Sequence, residues 1–192
     1  MSALDLTHAL ALPGWMSEDE LAFLAARAQT CQRVIEVGSW LGRSTRALAD
    51  HCPGTVWAVD DWRGDPGVPE DPINRVMADM GGPGAARHLF TVALMDHLTG
   101  GRVKLLTLPS VEAATQLGGE FGRGFDLIFL DGSHDYASVR ADLLAYRPLV
   151  RDGGLLCGHD RGWTGVAQAV TEVLGGWRPG PGTLWLAPEE AG

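Results

Sequence analysis

Five short apolar runs punctuate the chain: Arg33–Val37, Thr55–Val59, Val103–Thr107, Phe125–Leu130 and Gly154–Gly158. None alternates cleanly between polar and apolar positions. A strand covered on both faces need not alternate, so the runs are expected to be buried parallel strands. Segments with helical spacing separate them. Ser44–His51 packs Ala47 and Leu48 on one side, and Ser110–Leu117 carries Val111, Ala114 and Leu117. Ser138–Val150 carries Val139, Leu143, Leu144 and Tyr146 and closes near Pro148. Strands alternating with helices predict an open α/β architecture: a mostly parallel sheet, right-handed crossovers and helices on both faces.

Three stretches depart from that rhythm. Near the N-terminus, Ser17 stands three residues before Glu20, the spacing of a capping box. Leu21, Leu24, Ala25 and Ala28 follow as an apolar stripe, predicting a helix over about 17–30 docked beside the first strand. Residues 62–101 are too long for a simple crossover. They open with "WRGDPGVPEDP" and contain "GGPG" at 81–84, a Pro and Gly density that predicts turns and a lid-like insertion. Phe90, Leu94 and His97 or Leu98 suggest one helix leading from it into the third strand. At the C-terminal end, Val166, Ala169, Val170 and Val173 face a helix. "PGPG" at 179–182 is expected to lie outside any ladder, and Leu184–Leu186 to return as an antiparallel edge strand. With 192 residues and no internal repeat, the expected organisation is a single domain over 1–192.

Composition narrows the function classes. Hydrophobic residues make up 45% and charged residues 20%, which speaks against disorder. No apolar run approaches the roughly 20 residues of a membrane span, and residues 1–12 lack the basic start of a secretory signal. Cys31, Cys52 and Cys157 are odd in number and widely spaced, so buried thiols in a reducing cytoplasm are expected. Twenty-four acidic against 15 basic residues give a formal charge of −9, which repels a phosphate backbone and argues against nucleic acid as a partner. This balance suits a cytoplasmic enzyme acting on a small molecule.

The chemistry-bearing residues fall at predicted strand ends, where open α/β sheets bind ligands. The first run ends in "VIEVGSWLGRST", residues 34–45. Gly38 allows a turn that other residues resist, and Gly42 allows a ligand or helix to approach the backbone. Asp60 closes the second run 22 residues after Gly38, near the spacing at which an acid accepts ribose hydroxyls. Trp40 stands where a GxGxxG fingerprint needs its middle glycine. Its bulk argues against a pyrophosphate on the backbone and favours a cofactor without phosphates. The fourth run leads into "DGSHDY" and the fifth into "GHDR", bringing Asp131, His159 and Asp160 to one sheet edge with His134 in the adjoining loop. Such a set can hold a divalent cation or supply a general base.

Together these motifs resemble class I S-adenosylmethionine-dependent methyltransferases, closest to small bacterial ones with "DGxHxY" and "GGxxxxHD". The corresponding stretches here are "EVGSWLGRST" (36–45), "DGSHDY" (131–136) and "GGLLCGHD" (153–160), and the likeness extends from about residue 14 to 187. The resemblance implies a Rossmann-like fold and S-adenosyl-L-methionine as cofactor. Glu36, Gly38, Ser39, Trp40 and Gly42 would border its methionine end. Asp60 would take the ribose hydroxyls, Asp61 and Trp62 would flank the adenine side, and Ser110 would contact adenine. Asp131 would lie beside the methyl group. Related sugar and catechol O-methyltransferases place metal-binding acids at the ends of strands four and five, which here are Asp131, His159 and Asp160. His159 and the Arg161 that follows Asp160 depart from the usual pattern. The implied reaction is O-methylation of a small hydroxylated metabolite or sugar. Either Mg²⁺ or another divalent cation would lower the hydroxyl pKa, or His134 or His159 would act as base. A homodimer is common in the group. Two other readings stay open: a nicotinamide-dependent oxidoreductase, and a non-catalytic accessory protein that binds the same cofactor.

Overall fold

The computed structural model describes residues 4–188. Five parallel strands form from the apolar runs: β1 (Arg33–Val37), β2 (Thr55–Val59), β3 (Val103–Leu106), β4 (Phe125–Leu130) and β5 (Val150–Gly158). Two short strands, β6 (Arg178–Pro179) and β7 (Trp185–Leu186), complete a sheet of order β3-β2-β1-β4-β5-β7-β6. β7 runs antiparallel to β5, and β6 antiparallel to β7. The chain leaves β1 for β2 on one side and returns to pair β4 on the other, so strand order reverses between β1 and β4. That reversal opens a crevice at the carboxyl edge.

Nine α-helices pack around the sheet among the described residues: α1 (Thr7–Leu10), α2 (Glu18–Ala28), α3 (Arg43–His51), α4 (Pro72–Asp79), α5 (Pro83–Ala93), α6 (Met95–Thr99), α7 (Ser110–Phe121), α8 (Tyr136–Tyr146) and α9 (Thr164–Leu174). Alternate strand residues feed two cores. Val34, Val56, Ala58, Leu127 and Phe129 face the core shared with α1 to α5. Ile35, Trp57, Val59, Ile128 and Leu130 face the core shared with α7, α8 and α9. In β1, β2 and β4 the period of two is present, but both faces are apolar, which is why the sequence does not alternate. The stripe Leu21, Leu24, Ala25 and Ala28 of α2 is fully buried, and Ser17 and Glu20 close the capping box. No helix among the described residues is long and apolar enough to cross a membrane. The three cysteines are free and buried.

Several details depart from the sequence expectation. Val111 and Leu144 are exposed, because the buried rows are Ala113, Ala114 and Leu117 on α7 and Val139, Asp142, Leu143 and Tyr146 on α8. The single helix expected before β3 is two, broken at the buried Leu94 (φ −111°). β7 is not the edge strand. Pro179, expected outside any ladder, pairs with Trp185 in β6, where an outermost strand tolerates a missing N–H.

Candidate active site

The turn after β1 forms one wall of the crevice. Gly38 has φ +86°, and a Cβ there would stand 2.0 Å from the Asp131 carbonyl oxygen, so glycine is required by the β4 backbone itself. Gly42 (φ +89°) caps α3, but a Cβ on it would meet Leu94 Cδ2 at 2.4 Å. Its space is taken by the α5–α6 junction, the close approach of a helix that glycine allows there. Among the described residues, only Trp40 (φ 40°), Trp62 (φ 55°) and Asp160 (φ 61°) adopt positive φ without being glycine. All three line the same cavity. Left-handed backbone costs a non-glycine residue about 1–3 kcal/mol and clusters at functional sites.

Glu36 is fully buried beneath this turn, on the α3 side of β1. Thr45 Oγ1 donates to its Oε2, while Oε1 has no hydrogen-bond partner. Burial pushes its pKa up to about 7. Ser39 Oγ and Trp40 Nε1 are likewise buried and unpartnered. Buried polar atoms are normally paired, so the Ser39 and Trp40 groups on this turn are open to a ligand's polar groups, while the Ser39 and Ser44 hydroxyls also lie close enough to Glu36 to favour its carboxylate. At the end of β2, Asp60 accepts the N–H of Trp40 (2.7 Å) and of Trp62 (2.7 Å), one on each oxygen. Burial nevertheless raises its pKa to about 6. Each oxygen keeps a lone pair for a hydroxyl. Asp61 lines the cavity and pairs with Arg63 at 2.6 Å. Trp62 is 2% exposed, packs edge-on against Phe90 and donates its indole N–H to the Trp40 carbonyl. It braces the turn from the core side. Ser110, the first residue of α7, donates to Asp142 Oδ1 of α8, and burial raises the Asp142 pKa to about 6.

The opposite wall is an acid–histidine cluster. Asp131 follows β4, and His159 and Asp160 follow β5. His159 Nδ1 lies 3.3 Å from Asp131 Oδ1 and 3.1 Å from Asp160 Oδ2. Asp160 Oδ2 also meets His134 Nε2 at 2.8 Å. The other ring nitrogen of His134 bonds Asp71, its backbone N–H donates to Asp65 at 2.7 Å, and its ring stacks on Trp163. Burial opposes charge on both imidazoles, but the surrounding carboxylates outweigh it. His134 is raised to about 10, held by Asp160 and Asp65, and His159 to about 11, held by Asp131 and Asp160. Burial works against the Asp160 carboxylate too, yet bonds from His134 and His159 hold it well below the usual range. Asp131 is raised, chiefly by burial. As imidazolium ions neither histidine can accept a proton. Each must lose one before it acts as base or ligand.

These walls enclose a cavity of about 430 Å³, within the range of small-molecule sites. Gly38, Ser39, Trp40, Asp60, Asp61, Trp62, Ser110, Asp131, His134, His159 and Asp160 all line it, whereas Glu36 lies behind the wall. Other lining residues were not anticipated. Trp15 stacks on Trp40 at 4.4 Å between ring centroids and is 59% exposed. Asp71 belongs to the "PEDP" that reads as a turn; it caps α4 and grips His134. Asp142 interrupts the apolar row of α8, a signal visible in the i, i+3, i+4, i+7 spacing.

Fold and cavity define an α/β protein with a crevice of small-molecule size at its switch point. A family model described as a methyltransferase domain matches residues 35–161. The chain belongs to that family and is an S-adenosylmethionine-dependent methyltransferase. No curated protein matches the chain. Solved structures share the fold at low identity. CalS11, a calicheamicin methyltransferase, superposes with a TM-score of 0.66 at 18% identity, over 89% of this chain and 77% of that one. The cofactor-bound Rv0187 from MTB gives 0.63 at 20%, over 96% and 88%. An O-methyltransferase from Bacillus cereus in complex with SAH gives 0.63 at 17%, over 94% and 86%.

Proposed function

We propose that the protein transfers the methyl group of S-adenosylmethionine to a hydroxyl of a small hydroxylated acceptor, a metabolite or sugar. The observation that carries this reading is the meeting, in one cavity, of the orphaned polar turn after β1 with the Asp131–His159–Asp160 cluster. O-methyltransferases among the solved structures of this fold support the choice of a hydroxyl acceptor.

In this reading Ser39 and Trp40 meet the methionine end of the cofactor, with Glu36 behind them. Asp60 takes the ribose hydroxyls, and Ser110 with Asp142 borders the adenine. The acceptor enters past Trp15. Its hydroxyl oxygen attacks the methyl carbon in line as the carbon–sulfur bond breaks. Sulfonium leaves readily, so the protein's share is alignment and removal of the hydroxyl proton. Asp131, a carboxylate with a raised pKa at the cavity wall, is better matched to that proton than either imidazolium. Asp131, His159 and Asp160 each offer one donor atom, all three within 4.8 Å of one another, a donor set that fits a divalent cation. Such a cation would lower the pKa of the acceptor hydroxyl.

Calorimetric titration with S-adenosylhomocysteine tests the cofactor assignment, and folded protein that binds none refutes it. A panel of sugars and hydroxylated metabolites with labelled cofactor tests the acceptor class. Transfer only to nitrogen or carbon acceptors would overturn O-methylation.

A further inference from the structure

The N-terminal helix sends a buried carboxylate into the back of the acid–histidine cluster. Glu20 is 3% exposed. Its Oε2 serves the capping box, accepting Ser17 N–H at 2.7 Å and Ser17 O–H at 2.8 Å. Its Oε1 turns away from the helix. There it accepts the Thr183 N–H at 2.7 Å and meets His159 Nε2 at 3.0 Å. A capping box needs only the first of these oxygens. With Nε2 engaged behind, the ring presents Nδ1 forward to Asp131 and Asp160.

We propose that Glu20 is a positioning residue: it holds the Nε2–H of His159 so that Nδ1 joins Asp131 and Asp160 as a nitrogen donor, tuning the site to a borderline dication such as Mn²⁺ or Co²⁺ over Mg²⁺. This rests on the reading of the cluster as a cation site. Mg²⁺ favours all-oxygen octahedral shells, whereas imidazole suits later divalent metals. A carboxylate on the far ring nitrogen fixes tautomer and orientation, and its loss typically lowers metal affinity about 10–100-fold. Glu20 and His159 stand 139 positions apart, so only the docking of α2 against the end of β5 brings them together.

The test uses the full chain freed of metal. Mn²⁺ binding is followed by electron paramagnetic resonance, Co²⁺ by its visible ligand-field bands, and Mg²⁺ by displacement of Mn²⁺. Glu20→Gln is expected to weaken Mn²⁺ and Co²⁺ binding about 10–100-fold while Mg²⁺ affinity stays nearly unchanged. His159→Asp, an all-oxygen set, is expected to reverse the preference towards Mg²⁺ and carries the test if Glu20→Gln fails to fold. Ser17→Ala and Thr183→Ala remove the two hydroxyls that donate to the same carboxylate, at 2.8 Å and 3.2 Å, and should leave the ion preference intact. Equal weakening of all three ions by Glu20→Gln, the same effect from the Ser17 or Thr183 variant, or no divalent binding by the wild type overturns the proposal. S-adenosylhomocysteine titration of the same wild-type sample separates the two readings: binding of it without any ion removes only this inference, and no binding of it removes the methyltransferase reading.

Discussion

Replacing Glu36 with Gln should make the stability of the ligand-free protein less sensitive to rising pH and weaken its hold on the cofactor. Burial lifts the Glu36 pKa from 4.5 to about 7, a difference of about 2.5 units, or roughly 3 kcal/mol at 1.36 kcal/mol per unit. A raised carboxylate pKa means the folded state binds the proton more tightly than the unfolded one. Wild-type stability from this group is therefore full below pH 4.5, falls as pH rises through 7, and is flat above. Gln carries no such penalty. Its amide does place N–H groups where Oε1 now has no partner, which costs about 1–3 kcal/mol at every pH. That offset cancels when the variant is compared with wild type at two pH values. The stability difference between Gln and Glu should shift by roughly 3 kcal/mol in favour of Gln between pH 4 and pH 8. Urea unfolding followed by tryptophan fluorescence at both pH values measures it. Parallel pH profiles for the two proteins would refute the reasoning. If Oε1 also receives a cofactor donor through the turn, S-adenosylhomocysteine affinity should fall about tenfold, the worth of one charge-assisted hydrogen bond.

Gly38→Ala must fit a Cβ 2.0 Å from the Asp131 carbonyl oxygen at φ +86°, so a loss of at least about 2 kcal/mol is expected in the urea midpoint; an unchanged midpoint would show that the turn can shift. Asp60→Asn opposes an amide N–H to one of the two backbone donors from Trp40 and Trp62, costing about 1–3 kcal/mol of stability along with cofactor affinity in calorimetry. His134 gains protons on folding, its pKa rising from 6.5 to about 10. Its contribution is therefore full below pH 6.5 and is lost as pH climbs through 10. In EDTA the wild type should lose stability over that window and His134→Asn should lose less, and equal slopes in thermal melts would refute the assignment.

Much of the fold was legible because burial on two faces leaves a period-two strand reading as an unbroken apolar run. β1, β2 and β4 begin and end where those runs do. The acids after β2, β4 and β5 were legible for the same reason: a strand in a parallel sheet delivers its next residue to a known edge. Local spacing could not reveal which side chains that edge would share. Gly42 reads as a place for a ligand or a helix to come close, and only the packed chain shows that Leu94 and Phe90 do so. His134 and His159 read as candidate bases, and only the folded chain shows Asp65, Asp71, Asp131 and Asp160 closing around them and raising the pKa of both rings. Glu20 reads as a helix cap, which it is, and nothing near it in the chain points to His159. The sequence by itself determined the five central strands, the crevice edge and the acids placed there, because these follow from periodicity and chain direction. Only the tertiary structure decided the protonation and orientation of the histidines, because those depend on charges brought within about 3 Å from distant segments, where a low effective dielectric makes each one count.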